Sequence, residues 1–387
     1  MTKIDADWLK IPATRAVFAM LSNAKFKAYA VGGCVRNALL DAPVKDIDLS
    51  TDARPSVVMQ LAKNAGFHAV PTGIDHGTVT VVANDIPHEI TTFRRDVATD
   101  GRRAVVAFSD DIKDDALRRD FTMNALYCDI DGEVIDPLGG LPDLNARRVR
   151  FIEDADQRIR EDYLRSLRFF RFHAWYGDPQ LGFEADALDA IARNVQGVGT
   201  LSRERLGVEL LRLLEAPDPV ASIAGMRSTG VLQAVLSGAD DRALGPLVHL
   251  EATLDIAPDS IRRLAILGGL DVAERLRLSR QDSERLRILY AGTVGGPKVS
   301  GYKLGEEMAR DVHLIEAASL DVPFPSGVIE AIAEGHSKTF PVKAADLMPD
   351  YQGPALGNAL KQLESRWIES DFSLSHADLL ASLGKEG

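Results

Sequence analysis

Within seventeen residues the chain places a glycine pair, an arginine and two spaced aspartates: Gly32-Gly33-x-x-Arg36, then Asp46-Ile47-Asp48. Glycines lack the side chains that keep a ligand off the backbone, so Gly32 and Gly33 suit a turn whose N–H groups approach phosphate oxygens closely. Arg36 offers a forked cation for the same phosphates. Residues two apart on an extended strand share a face, so Asp46 and Asp48 would present two hard oxygen ligands together. That donor set suits Mg²⁺, which takes a few carboxylates and fills its shell with water and substrate phosphate. A nucleoside triphosphate with its metal is the ligand this combination describes.

Neither half is specific alone, since Gly-Gly is ordinarily just a turn and D-x-D recurs by chance in acidic loops. The order and spacing of the two carry the reading. No Gly-Lys-Ser/Thr opens a helix here, and the third glycine of the dinucleotide fingerprint is missing.

Further polar groups follow. Arg118-Arg119-Asp120-Phe121-Thr122-x-Asn124 lies between an acidic stretch (Asp110, Asp111, Asp114, Asp115) and an apolar run. The arginines can neutralise phosphate, and Asp120 or Asn124 can bond ribose hydroxyls, against the plainer reading of a salt-bridged helix end. Gln157 to Arg171 places Ile159, Tyr163, Leu164, Leu167 and Phe170 on helical spacing, which leaves Glu161, Asp162, Arg165 and Arg168 on other faces. Asp162 and Arg165, three apart, read either as a helix-surface ion pair or as an acceptor beside a donor. The second arrangement matches the edges of cytosine and adenine and leaves uracil and guanine unpaired. Glu89 precedes a polar segment, Thr91 to Phe108, centred on Asp100-Gly101, which reads as a mobile loop or hairpin. As a partner of Thr91 on its strand, Glu89 reads as a third carboxylate for the aspartates or as a solvated strand residue.

The elements that must hold these groups alternate between about residues 25 and 136. KFKAYAV, DIDLST, HAVPT, GTVTVVA, HEITTF, FTMNALYCD and EVIDP read as strands, with helices beside Arg36 and over Ser56 to Ala65. After Pro137-Leu138-Gly139-Gly140 strand signals almost vanish and amphipathic helices follow.

At 387 residues, with 45% hydrophobic and 26% charged residues, the chain suits an ordinary globular protein of two or more domains. A net charge of −12 argues against broad nonspecific nucleic-acid binding, so an RNA partner must meet a local basic surface. Arginines do gather between Arg94 and Arg171, Arg102 and Arg103 among them. Cys34 and Cys128 are too few for a disulfide framework or zinc cluster. No signal-peptide core or membrane-length apolar run is present, so the cytoplasm is the default expectation.

Taken together, GGCVRN, DID, TGIDHGTVTVV, EITTFRRD, DGRR, RRDFTMNAL, DPLGGLPDL, EDYLRSLRFFRF and LSRERLGVEL resemble, in order, the class II tRNA nucleotidyltransferases of the polymerase β superfamily. That family comprises the bacterial and eukaryotic CCA-adding enzymes and the related bacterial poly(A) polymerases. The likeness covers Tyr29 to about Leu214 closely, and the final third loosely through AADLMPDYQGPALGNALKQLESRW.

The resemblance implies an α+β fold: a nucleotidyltransferase head (1–145), a helical neck and body for base selection and RNA binding (146–235), and a helical body and tail for tRNA (236–387). It implies addition of C, C and A to the tRNA 3′ end from CTP and ATP, with Mg²⁺. Asp46 and Asp48, with Glu89 as a further metal ligand, would be catalytic. Gly32, Gly33 and Arg36 would take triphosphate, Arg119, Asp120 and Asn124 sugar and phosphate, and Glu161, Asp162 and Arg165 the base, with Arg168 a further nucleotide-binding residue. Leu201 to Glu209 would support that helix. A poly(A) polymerase or a partial CC- or A-adding enzyme is the alternative, and a noncatalytic RNA-binding protein a further one. Two departures stand out: Asn37, where the family often has aspartate, and Asp41, where a glycine is usual. Asp41 keeps some tolerance of left-handed backbone, whereas Asn37 loses a charge beside Arg36.

Overall fold

The computed structural model describes residues 2–100 and 103–383, so Gly101 and Arg102 of the predicted loop centre lie outside the described residues. The chain divides into two compact units, 1–241 with 268–278, and 242–267 with 279–387.

The first unit is organised by a seven-stranded sheet in the order β3-β4-β5-β2-β1-β8-β9. The strands are β1 (Ala28–Val31), β2 (Asp48–Thr51), β3 (His68–Gly73), β4 (Thr78–Ala83), β5 (Ile86–Thr92), β8 (Tyr127–Cys128) and β9 (Val134–Ile135). A separate antiparallel hairpin pairs β6 (Arg94–Asp100) with β7 (Arg103–Phe108), the second form expected for that segment.

The one parallel pairing among these strands, β2 with β5, is decisive for the site. It sets Asp48 opposite Glu89, Leu49 opposite Ile90 and Ser50 opposite Thr91. Side chains alternate across a sheet, so the pairing sorts residues by face. Leu49 and Ile90 join Val79 and Val81 on the fully buried side. There the helices Pro12–Asn23 and Pro55–Asn64 cover β4 and β5. Asp48, Ser50, Glu89 and Thr91 are left on the opposite, polar side.

Two expected elements come out differently. FTMNALYCD is mostly not strand: Phe121 makes a single bridge to Phe151, Thr122–Asn124 forms a 3₁₀ turn, and Tyr127–Cys128 is the one strand. The helix expected through Gln157–Arg171 is broken at Asp162, whose backbone is extended (φ −155°, ψ 104°) between helices Ala155–Glu161 and Leu164–Tyr176. Tyr163 sits at the break, and its ring packs so closely on Gly197 that a Cβ there would lie 2.2 Å from ring carbons. The second of these helices is fastened to the head by aromatic rings. Phe121 lies 4.8 Å from Phe172 and 5.0 Å from Phe151, which stacks on Phe169 at 5.5 Å.

The second unit is helical. A buried charge network ties several of its helices: Arg262 donates to Glu251 and Asp311 at 2.7–2.8 Å, Arg263 to Glu251, and Arg285 to Asp259 and Asp311. Leu363 and Trp367 centre a cluster with Tyr302, Phe340 and Phe372. Helices Pro297–Leu304 and Val328–His336 approach so closely that a Cβ on Gly301 would lie 2.1 Å from the Ile332 carbonyl oxygen, and one on Gly335 1.8 Å from that of Lys298. Backbone cannot yield as a side-chain tip can. Gly301→Ala and Gly335→Ala should therefore each destabilise the protein by about 2–3 kcal/mol, read as a lower urea midpoint. An unchanged midpoint in both would contradict this packing.

Candidate active site

The glycine turn rises from the end of β1. Gly32 has φ +70°, a left-handed conformation that costs a β-carbon-bearing residue, and its N–H bonds the Leu126 carbonyl at 3.0 Å. A Cβ there would also crowd Arg119 Nη1 at 3.3 Å and Asn124 Oδ1 at 3.5 Å. The floor of the turn is therefore made by the second predicted motif, so two segments ninety residues apart meet at this point.

Arg119 is held from beneath. It donates to Asp115 Oδ2 at 3.0 Å and to the Tyr127 hydroxyl at 3.3 Å, while Asp115 also takes Arg118, Ser50 Oγ (3.2 Å) and the Tyr127 hydroxyl (2.8 Å). Asp115 is completely buried. Burial alone would raise its pKa, but the two arginines and the tyrosine hold the carboxyl well below the usual range. The sequence singled out Asp115 only as one of an acidic run, and its burial is what makes it the anchor.

Above this floor stand the carboxylates. Asp46 is exposed and lies two residues before β2 begins at Asp48, so one strand residue and its approach carry the pair. Asp48 is pushed up to about 6 by burial first, then by Glu89, with Arg119 pulling the other way and Asp46 adding to the rise. Such mutual repulsion among hard oxygen donors is what a divalent cation relieves, and the pair fits one. Glu89 is an exposed neighbour of Asp48. Among the described residues, however, no three carboxylate, imidazole or thiolate side chains converge to form a metal site. Glu89 lies directly across the parallel strand pair from Asp48 and acts on it through charge. Cys34 and Cys128 are buried, and burial pushes their thiols up to about 11 and about 12, so neither is a nucleophile.

Several other predicted residues are found bonded to protein. Arg36 is buried and donates to Asn37 Oδ1 (2.8 and 3.1 Å), Asn124 Oδ1 (2.9 Å) and the Tyr176 hydroxyl (2.9 Å). Its guanidinium also lies 4.0 Å from the Tyr176 ring centroid. It therefore braces the turn instead of opening a free fork beside it. Asp120 accepts from Asn124 Nδ2 (3.1 Å) and from Arg168 (2.5 and 2.7 Å), which itself reaches Glu209. Burial would raise the Asp120 carboxyl, yet Arg168 and Asn124 lower it to about 2. Both Glu161 oxygens are taken, by Arg158 and Arg165 at 2.5 Å.

Asp162 and Arg165 are not bonded to each other. Asp162 accepts Arg205 at 2.6 Å and the Leu164 N–H at 3.1 Å, while Arg165 bonds Glu161 and the carbonyls of Arg158 and Arg118. Three of Arg165's five N–H groups are used in these bonds, and Asp162 keeps lone pairs on both oxygens. The helix Arg203–Leu214 plays the expected supporting part through Arg205 on Asp162 and Glu209 on Arg168 and Arg171. Sequence reasoning missed Tyr127, Ser50 and Tyr176, for which residue spacing carries no signal.

A mixed sheet with a glycine turn and paired aspartates on its polar side, followed by helices that close on the turn, defines a nucleotidyltransferase head. Comparison with known proteins agrees. Residues 28–150 match the family model of the poly A polymerase head domain, and 181–242 match that of the probable RNA and SrmB-binding site of polymerase A. The mitochondrial CCA tRNA nucleotidyltransferase 1 of Danio rerio is 30% identical over 383 residues, covering 93% of this chain and 88% of that protein. The CCA-adding enzyme of Limosilactobacillus fermentum is 29% identical over 404 residues, 99% of each chain. The crystal structure of the Bacillus stearothermophilus CCA-adding enzyme in complex with CTP superposes with TM-score 0.68 at 26% identity, covering 93% of this chain and 94% of that one. The chain belongs to the family of CCA tRNA nucleotidyltransferases.

The raised Asp48 pKa has a consequence for stability. Because the fold favours the protonated carboxyl, that contribution is complete below the unfolded range and is lost as pH rises through about 6. Asp48→Asn should therefore stabilise the metal-free protein by about 1–2 kcal/mol near pH 7.5, with the gain vanishing towards about pH 4. Glu89→Gln should give a smaller gain of the same sign. Urea melts of the three proteins across this range decide it, and a destabilised Asp48→Asn at neutral pH would count against the repulsion.

Proposed function

We infer that the protein adds C, C and A to the 3′ end of tRNA from CTP and ATP without a nucleic-acid template, releasing pyrophosphate. One observation carries this: the aspartate pair and the glycine turn share a floor, Arg119, in a chain that aligns with CCA-adding enzymes over nearly its whole length.

A bound divalent cation, in our reading Mg²⁺, supplies charge neutralisation on the triphosphate and a lower pKa for the RNA 3′-hydroxyl. Asp46 and Asp48 would hold it, with Glu89 across the strand pair as a further ligand. The bare backbone of Gly32 and Gly33 admits the triphosphate, and Arg119 contributes positive potential from below. Asp162 and Arg165 select the base: the spare acceptor on Asp162 and the spare N–H groups on Arg165 complement the amino group and ring nitrogen of C or A. Glu161 and Arg205 hold that pair, and Asp120 and Asn124 act by bracing Arg168 and Arg36. Residues 1–145 carry the chemistry in this reading, 146–235 the selection, and 236–387 the grip on the tRNA acceptor end. Among the described residues no helix is long and apolar enough to cross a membrane. We assign the protein to the cytoplasm, a reducing setting that suits its two free cysteines.

The test is incubation with Mg²⁺, all four nucleoside triphosphates and a tRNA transcript ending at the discriminator base, followed by sequencing of the 3′ ends. Products should stop at CCA. A stop at CC or a long A tract would replace the reading with a partial enzyme or a poly(A) polymerase, and no extension would favour a noncatalytic RNA-binding protein. Asp46→Ala and Asp48→Ala should reduce extension to background while the protein stays folded. Asp162→Ala and Arg165→Ala should instead lower the preference for C and A over U and G by about 10- to 100-fold. Unchanged nucleotide choice would remove the pair from base selection.

A further inference from the structure

Asp46 is a metal ligand standing outside regular structure. The segment that carries it leaves the helix Gly33–Leu39, reverses at Asp41 (φ +54°), and re-enters order only at Asp48 in β2. At its near end the chain is tied back to one residue, Asn37, whose carbonyl accepts the Ala42 N–H at 2.8 Å and whose side-chain Nδ2 donates to the Pro43 carbonyl, also at 2.8 Å. The other half of the same side chain, Oδ1, accepts Arg36 Nε and Nη2. The amide orientation follows from chemistry alone, because arginine only donates and a carbonyl only accepts.

We propose that Asn37 is a positioning residue: its amide couples the braced Arg36 to the Pro43 carbonyl and so fixes where Asp46 presents its carboxylate to the cation. The proposal deepens the functional reading above and rests on its metal site. An aspartate at 37 satisfies Arg36 and has no proton for Pro43, so two acceptors would face each other and the tie would open. In this chain the two sets of bonds together take an amide, with one acceptor half and one donor half.

Asn37→Asp separates this role from simple electrostatics because the two predict opposite signs. An added carboxylate acting through space would tighten binding of a divalent cation. Loss of the tie loosens Asp46 and weakens it. Two readouts serve: Mn²⁺ affinity of the nucleotide-free protein, and hydrogen exchange, without metal, of the Ala42 amide that donates to the Asn37 carbonyl. At a thermal midpoint close to wild type, Asn37→Asp should bind Mn²⁺ about fivefold more weakly and exchange the Ala42 amide about fivefold faster, the size of one net hydrogen bond. Asn37→Ala, which removes the tie without adding charge, should shift both in the same direction and carries the comparison if Asn37→Asp does not fold. Tighter Mn²⁺ binding by Asn37→Asp, or unchanged exchange of the Ala42 amide in both variants, would overturn the proposal. Absence of Mn²⁺ binding by the wild type would overturn the metal site and the proposal with it, whereas failure of tRNA extension with Mn²⁺ binding intact would count only against the functional reading.

Discussion

The rest of the site depends on the buried ion pair between Asp115 and Arg119. A catalytic centre of this kind must keep several carboxylates close together, and such a cluster invites collapse onto any nearby cation. Arg119 is near enough to act on Asp48, yet its shared Nη2 contact and the surrounding Tyr127 and Ser50 commit it to Asp115. Its attraction for Asp48 is therefore outweighed by burial and Glu89, and the Asp48 carboxyl stays raised, paired with no arginine among the described residues. A buried pair is weak evidence of stability in itself. Here its part is to hold positive charge under the glycine turn without spending it on Asp48.

The same logic repeats outward. Arg36 is occupied by Asn37, Asn124 and Tyr176, Asn124 by Asp120, Asp120 by Arg168, and Arg168 by Glu209 on the helix Arg203–Leu214. The glycine turn and the helix that carries Arg165 are thus parts of one hydrogen-bonded chain, backed by the Phe121, Phe151, Phe169 and Phe172 rings. Geometry of this rigidity suits a reaction in which the protein supplies positioning and electrostatics and little covalent chemistry.

Much of this was legible in the sequence, for identifiable reasons. The glycines announced the turn because Gly32 needs φ +70°, and alternating Val79, Val81 and Leu49 announced half-buried strands. Asp41 does adopt the left-handed backbone expected of it, at φ +54°. What escaped depends on residues far apart in the chain. The helical period runs unbroken through Gln157–Arg171, and only the Tyr163 ring on Gly197 and the Arg205 bond to Asp162 show why it is cut. The apolar run after Asp120 reads as strand, but Thr122 is packed under Gly140, whose Cβ would lie 2.3 Å from the Thr122 carbonyl oxygen, and the segment turns there. The roles of Asp115, Arg36 and Arg168 turn on burial, which a list of charged residues does not reveal. Asn37 was noticed as a lost charge, whereas its structural meaning lies in the donor it gained.

The most direct test of the account is a crystal structure of the protein with CTP and Mn²⁺, locating the cation by its anomalous scattering. The account predicts Mn²⁺ between Asp46 and Asp48 beside Gly32 and Gly33, with Arg119 still on Asp115 and Arg36 still held by Asn37, Asn124 and Tyr176. A cation bound elsewhere, or Arg36 and Arg119 swung out of these contacts onto the triphosphate, would contradict it.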